Sequence, residues 1–410
     1  MEILFKKNIS YIILFYFFMK AFDGAIRYFL SLFQLTILAY LPIVLMATAL
    51  IVNVLYVFYK MRVKVSGAII ISLIFLFVIN AFFNISSLKQ IIWGLYILIP
   101  FLFGFTFTDS IINEFQQNKK IIFILALIAG IGVVTNYFIS FPWQGFTYEI
   151  QGQSIEGSRQ WSTHGISRLA GLGRTSFSSA VTICSLSLIV FTFKKCKLSC
   201  LLLWIISFIA IILTTTKGII AVYTILTIIL ISRNWINVFF LRRLPVFVLL
   251  VMILLPFGSA YYFRNTFSPQ LGENHLDSFF IRIISTWPQG VHAISENGNF
   301  LLGRGIGGLG IPAGKMNDII SAGPGDNMAV YVFGIGGILG LFLLLKLALK
   351  ASKAAVTYWR SEYLFIYLSV LMLFLYGITT NIIESAILSV FLGLVTGKKI
   401  EIRNERYVCY

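Results

Sequence analysis

The sequence contains little charge and few of the residues that soluble enzymes use for metal sites or disulfide bonds. Only 11% of its 410 residues are Asp, Glu, Lys or Arg, and it has 3 histidines and 4 cysteines. A soluble domain carries about 25% charged residues, so a water-soluble enzyme is excluded, as are disorder and a coiled coil. The four cysteines show no spacing typical of a disulfide framework or a metal site.

Apolar residues are what the sequence has in abundance. Hydrophobic residues make up 59% of the chain, with 39 Phe and 19 Tyr, and the mean hydropathy is +0.91. The apolar residues form continuous runs rather than the short alternating segments of a membrane β-barrel. Because a helix satisfies its own backbone hydrogen bonds in lipid, the composition predicts an all-α polytopic membrane protein. We expect residues 1–410 to form a single integral-membrane domain.

Twelve apolar runs are candidates for transmembrane helices, each of which needs about 20 mostly apolar residues. No small-residue cleavage site follows the first run, which therefore predicts an uncleaved span rather than a removed signal peptide. Two long connections, residues 142–174 and 264–326, separate the runs. The twelve runs are 9–22, 35–59, 66–84, 91–108, 121–141, 175–193, 198–216, 218–232, 244–263, 327–347, 361–380 and 382–397.

The basic residues predict the orientation in the membrane. With the N-terminus inside, 21 of the 32 Lys and Arg residues lie on the inner side. The inner side then has a net charge of +15 and the outer side +2. The positive-inside rule therefore predicts that both termini are cytoplasmic and both long loops are outside. The formal charge of +17 follows from topology, so we expect no nucleic-acid partner.

Five of the eleven basic residues on the outer side are candidates for a functional site: Arg168, Arg174, Lys217, Arg282 and Arg304. Arginine suits phosphate because its planar guanidinium donates paired hydrogen bonds and stays charged. The four arginines are expected to converge on one outer cavity. The alternative for Arg168 and Arg174 is that they extend from a helix end to lipid head groups. Lys217 either faces a cavity inside the membrane or reaches the outer interface from a helical hairpin.

Two patterns in the second long loop bear on Arg282 and Arg304. Apolar residues at 280, 283, 284 and 287 predict a helical stripe that packs against the protein or membrane, with Arg282 on its flank. The segment Gly303–Gly310 contains a G-x-G-x-x-G pattern. No predicted strand precedes it, so a nucleotide site is not indicated. We expect a tightly turning loop that presents Arg304.

Asp326 and Asn327 come directly before the tenth apolar run. Either residue type is suited to cap the N-terminus of a helix. Asp326 is alternatively a carboxylate near arginines that serves as a general base or orients one. Glu273, His275 and Asp277 are competing candidates for proton transfer in the second loop.

Taken in order, these motifs resemble the O-antigen polymerase and O-antigen ligase superfamily of bacterial inner-membrane proteins. Ligases usually have His-Asn where this chain has Asp326-Asn327, which favours a polymerase. Relatives often have Arg where Lys217 stands, which leaves the role of Lys217 open. The resemblance is carried by Phe22 to Tyr28, Arg168 to Phe177, Lys217, Ser278 to Trp287, Gly303 to Gly310, and Asp326-Asn327 leading into Gly334 to Gly337.

The resemblance implies a metal-independent glycosyltransferase without a cofactor, in the bacterial inner membrane. It would transfer a growing glycan from undecaprenyl pyrophosphate to the non-reducing end of a lipid-linked repeat unit on the periplasmic face. The lipid bilayer is its environment, and a chain-length regulator and a flippase are candidate partners. The residues expected to be catalytic are Asp326, Arg282 and Arg304. The residues expected to bind substrate are Arg168, Arg174, Lys217, His275, Glu273 and Asn327.

Two other classes are weighed against the polymerase. A ligase-type transferase shares most of the motifs. A lipid-linked oligosaccharide flippase can also have twelve spans, but it should show paired halves and charges within the spans. This sequence instead concentrates its charges in two outer loops. A purely structural assembly partner would explain neither the loop arginines nor Lys217.

Overall fold

Helices make up most of the protein in a computed structural model. The structure describes residues 2–60, 65–150, 153–163, 165–193, 197–233, 235–263, 277–315, 325–357 and 360–400. The helices of the first half are α1 Glu2–Ala21, α2 Asp23–Leu32, α3 Leu41–Tyr59, α4 Val65–Asn84, α5 Leu88–Thr106, α6 Thr108–Gln117 and α7 Lys119–Phe138.

The second half contains the remaining helices. They are α8 Ser176–Phe193, α9 Lys197–Leu213, α10 Lys217–Ser232, α11 Val238–Tyr262, α12 Asp277–Ile281, α13 Trp287–Asn297, α14 Ile311–Lys315, α15 Met328–Val356, α16 Ser361–Gly377 and α17 Ala386–Gly397. A π-helical turn, Arg282–Thr286, joins α12 to α13.

Each of the twelve predicted apolar runs overlaps a helix. Among the described residues, six helices are by themselves long and apolar enough to cross a membrane. The pair α1 and α2, bent by 84°, adds a seventh if it is one span, and five more apolar helices are shorter. The protein is therefore an all-α membrane protein. The amphipathic helices α2 and α6 were not predicted, because neither is a long apolar run.

Helices α8 and α16 form the centre of the bundle. Most residues of both helices are buried, and they pack against each other and against α17. Helices α7 and α9 cover α8, whereas α10, α11 and α15 cover α16. Small polar residues allow this close packing: the hydroxyls of Ser187 and Ser207 are hydrogen-bonded across α8 and α9 at 3.0 Å.

The connection between α7 and α8 folds into two short antiparallel hairpins. Strands β1 (Thr147–Ile150) and β2 (Gln153–Glu156) form the first, and β3 (Ser162–Thr163) and β4 (Ile166–Ser167) form the second. The first hairpin lies against α2, where Arg27 donates a hydrogen bond to the Tyr148 hydroxyl at 2.5 Å. This part of the first predicted loop is thus fixed to the N-terminal helices.

The glycine-rich segment of residues 303–310 packs between α4, α5 and α15. Its Arg304 amide donates to the Gly334 carbonyl at 2.7 Å, and α15 breaks at Gly337, where φ is +55°. A Cβ atom on Gly305 would lie 2.4 Å from the Ala81 nitrogen. The glycines therefore serve close backbone packing, and the predicted loop that presents Arg304 to a cavity is not formed.

We predict that Gly305→Ala strongly destabilises the folded protein. Gly305 has a φ of +88°, a region that costs an L-residue about 1–2 kcal/mol. The added methyl group also meets the α4 backbone, and overpacking costs about 1–3 kcal/mol more. Thermal unfolding of the purified protein measures the loss.

Two glycines provide matched controls for this variant. Gly165 has a φ of +74°, but no atom lies within 4 Å of the place that a Cβ would take, so Gly165→Ala should show strain alone. Gly258 also has open space and lies in α11, so Gly258→Ala should not destabilise the protein and should gain up to about 1 kcal/mol of helix propensity. Equal unfolding temperatures for Gly305→Ala and Gly165→Ala would contradict the close packing of the segment.

Candidate functional site

Tyr376 lies near the C-terminal end of α16, where several helices and both long connections meet. Its ring packs against Phe177 of α8, with 5.8 Å between ring centroids. Gly218 of α10 faces the same ring, because a Cβ there would lie 3.1 Å from a Tyr376 ring carbon. Three charged side chains lie within electrostatic range of the phenol: Arg168, Arg282 and Asp326. The structure thus brings three of the predicted site residues to one place.

Arg168 comes from the end of the first connection. Its guanidinium lies over the ring of Trp161, 4.4 Å from the centroid. The Nε atom is buried and has no hydrogen-bond acceptor among the described residues. Burial lowers the pKa of the Arg168 guanidinium, while the nearby Tyr376 phenol raises it. A half-buried cation with an unused donor is suited to bind an anion.

Arg282 comes from the second connection and pairs with Asp326. Its Nε lies 3.5 Å from Asp326 Oδ2, and its Nη1 donates to the Ser278 carbonyl at 3.0 Å. Arg282 begins the π-helical turn, a feature frequent at functional sites. The buried Trp287 that follows this turn donates its Nε1 proton to the Asp326 carbonyl at 3.2 Å. Asp326 is therefore held by both ends of the turn.

Two opposing effects act on the pKa of the Asp326 carboxyl. Burial raises its pKa, and the Arg282 guanidinium lowers it, with a net rise above the usual aspartate value. The side chain remains 38% exposed, so a bound molecule can reach it. A partly desolvated carboxylate beside a cation is a reasonable proton acceptor.

Asn327, not Asp326, caps α15. Its Oδ1 accepts from the Ala329 amide at 2.7 Å and from the Val330 amide at 3.1 Å. Its Nδ2 donates to the carbonyls of Met252 and Ile378, both at 3.0 Å. Asn327 is fully buried and its amide uses all its hydrogen-bonding positions in the protein. These contacts indicate a structural role for Asn327, and its expected part in substrate binding stays a prediction.

Glu384 is a candidate that the sequence analysis missed. Helix α17 begins at Ala386, so Glu384 lies in the connection before it, although the predicted span began at residue 382. Its carboxylate accepts from the Ile311 amide at 2.7 Å and from the Tyr331 hydroxyl at 3.2 Å. Burial raises the pKa of Glu384 to about 7, and Asp326 is close enough to contribute to the rise. A lone carboxylate inside a predicted apolar run was the signal in the sequence.

The other predicted residues lie in different surroundings. Arg174 donates two hydrogen bonds to the Glu156 carbonyl, at 2.8 and 3.1 Å. Arg304 is 3% exposed and donates to the carbonyls of Gly308 at 2.9 Å and Asn84 at 3.3 Å. These contacts do not match the expected convergence of all four arginines.

Lys217, Glu273 and His275 complete the predicted set. Lys217 begins α10 and its side chain is exposed, which favours the interpretation of a lysine reaching the interface. Glu273 and His275 lie outside the described residues. Their predicted roles therefore stay predictions.

A second charged cluster surrounds Asp23 at the start of α2. Arg27 pairs with Asp23 at 2.6 Å and Lys20 does so at 3.6 Å. Arg174 is within electrostatic range of Asp23 and Tyr40. The segment from Phe22 to Tyr28, which begins α2, therefore interacts with the connection between α7 and α8. Arg174 belongs to this cluster.

Within the described part of the chain, no group of three or more His, Cys, Asp or Glu side chains is placed to hold a metal ion. The site that the structure does form consists of Arg168, Arg282, Asp326, Tyr376 and Glu384. No protein-family model, curated protein or solved structure matches this chain.

We predict that Asn327→Ala and Arg304→Gln lower the thermal unfolding temperature. The first loses a helix cap, worth about 0.5–2 kcal/mol, and leaves two buried carbonyls without a donor. The second loses charged hydrogen bonds of about 1.5–3 kcal/mol each. Arg282→Gln is the control, because the Arg282 side chain is 25% exposed and its loss should therefore lower the unfolding temperature less. An Arg304→Gln protein as stable as the wild type would contradict the structural role.

Proposed function

We propose that this protein is a surface-polysaccharide polymerase of the O-antigen type. It crosses the bacterial inner membrane twelve times, with both termini in the cytoplasm and the site around Tyr376 facing the periplasm. It transfers a growing glycan from undecaprenyl pyrophosphate to the non-reducing end of a lipid-linked repeat unit. The motif resemblance and the residues gathered around Tyr376 support this proposal.

The observation that carries the proposal is that Arg168 and Arg282 lie within electrostatic range of the same phenol, Tyr376. The two arginines come from separate connections, yet both lie within electrostatic range of Tyr376. The leaving group of the proposed reaction is a pyrophosphate, whose charge increases as its bond to the sugar breaks. Preorganised donors aimed at such developing charge are commonly the largest contribution to catalysis.

The reaction needs one nucleophile and one proton acceptor. The hydroxyl oxygen of the acceptor sugar forms a bond to the anomeric carbon of the donor glycan. The bond from that carbon to the pyrophosphate oxygen breaks, and its electron pair leaves with the pyrophosphate. The hydroxyl proton passes to a carboxylate of the site, Asp326 or Glu384. Glu384 is the better base near neutral pH, because its pKa is about 7, close to the working pH.

The two carboxylates predict different pH profiles. Activity of the wild type should rise as pH increases through about 7, because the Glu384 carboxyl must lose its proton before it can accept one. Glu384→Gln should lose about 10²- to 10⁴-fold in rate and also lose this rise. Asp326→Asn should be slower but keep the rise. The rate of polymerisation of purified lipid-linked repeat units, measured across the neutral pH range, checks both variants.

Each carboxylate variant keeps a side-chain oxygen that can accept a hydrogen bond, although Asp326→Asn removes the charge that pairs with Arg282. Gln at 384 can still accept from the Ile311 amide, and the α15 cap belongs to Asn327 rather than to Asp326. A change in activity therefore reports on the carboxylate rather than on folding. If Glu384→Gln kept the wild-type profile and Asp326→Asn abolished it, Asp326 would be the base.

Cells lacking the protein should display surface glycans that carry a single repeat unit. A missing flippase would instead trap repeat units on the inner leaflet, and a missing ligase would leave polymer on its lipid carrier. Gel separation of extracted surface glycans distinguishes the three outcomes. A complete loss of surface repeat units, restored by the cloned gene, would contradict the polymerase and favour the flippase.

A further inference from the structure

An apolar cavity lies between α4, α5, α15 and α17. Its lining reaches Met328 and Ile383 but includes none of the charged residues of the proposed site. Its volume is about 330 Å³, within the usual range of ligand pockets, about 300–1,000 Å³. Aliphatic and aromatic side chains line nearly all of it, among them Leu73, Phe77 and Leu344. Such a lining can accommodate a hydrocarbon chain but offers few hydrogen-bonding groups to a sugar.

Two lysines of α15 line the same cavity, Lys346 and Lys350. They are four residues apart, so they lie on one face of the helix, where two like charges repel. Lys350 donates to the Thr396 carbonyl at 2.8 Å, and the Lys346 ammonium lies 4.6 Å from the centroid of the Phe342 ring. Among the described residues, neither lysine forms an ion pair with a carboxylate. The cavity therefore combines an apolar interior with two cations that lack an anionic partner in this part of the chain.

The cavity is accessible from the lipid-facing surface of the bundle. Leu343 lines it and is 39% exposed, and Lys346 is exposed on the same side of α15. The two lysines lie in the C-terminal half of α15, whereas Asp326 lies just before the N-terminal end of this helix. A molecule that placed its head group at the lysines would therefore enter from the leaflet opposite the proposed site.

We propose that this cavity binds an anionic phospholipid, with its phosphate at Lys346 and Lys350 and one acyl chain between the helices. Charge complementarity selects the anionic head group, and the apolar lining selects a hydrocarbon chain. A polyprenyl pyrophosphate at the proposed site would have its charged group at the other end of α15. The lipid site therefore does not depend on the proposed function.

The test uses the full-length protein in detergent, titrated with phosphatidylglycerol and, separately, with phosphatidylcholine. Binding is followed by native mass spectrometry. Each lysine near an anionic lipid contributes about 1 kcal/mol, so the double variant Lys346→Gln/Lys350→Gln should bind phosphatidylglycerol about thirty-fold more weakly. Lys353→Gln is the matched control, since Lys353 is exposed on the same helix but does not line the cavity. It should bind as the wild type does.

A second variant tests the apolar part of the site independently of charge. Leu343→Trp should fill the cavity and reduce binding, whereas Leu345→Trp, at a position of similar exposure outside the lining, should not. The proposal is supported if the double lysine variant and Leu343→Trp both lose phosphatidylglycerol. It is overturned if the double lysine variant keeps wild-type affinity for phosphatidylglycerol, or if phosphatidylcholine binds equally well.

Discussion

The arrangement of the site depends on the hydrogen bonds of one buried amide, Asn327. Its oxygen accepts from the first turn of α15, and its nitrogen donates to the carbonyls of Met252 in α11 and of Ile378 after α16. Buried polar groups in lipid have no water to replace such bonds, so the three elements are fixed to one another. Asp326, the adjacent residue, is thereby positioned beside Arg282, and the carbonyl of Asp326 accepts a hydrogen bond from Trp287.

The charged residues of the proposed site lie at or between the ends of helices. Arg168 and Arg282 lie within range of Tyr376, and Asp326 influences the Glu384 carboxyl. Two cations and one carboxylate are thus held within range of one phenol by elements that are far apart in the chain, and a second carboxylate lies within range of the first. The low dielectric of the surroundings strengthens each of these interactions. Such an arrangement suits the transfer of a group from an anionic leaving group, which is the chemistry proposed for this protein.

The helices were predictable because a transmembrane helix is encoded in a local run of apolar residues. The site was only partly predictable, because packing decides which polar residues meet. Arg304 looked like a presented cation, yet the glycines around it pack against α4 and α5 and bury it. Asp326 and Asn327 looked interchangeable as caps until the hydrogen bonds distinguished them. Glu384 was overlooked because the predicted apolar run began at residue 382, before the true start of α17 at Ala386. Glu384 was therefore assigned to the span.

A structure of the protein with a bound polyprenyl pyrophosphate would show whether the two arginines hold the leaving group. We expect the pyrophosphate to lie between the guanidiniums of Arg168 and Arg282, with Asp326 and Glu384 on the side open to an acceptor sugar. A pyrophosphate bound elsewhere, with both guanidiniums facing away from it, would contradict the proposed role of these residues.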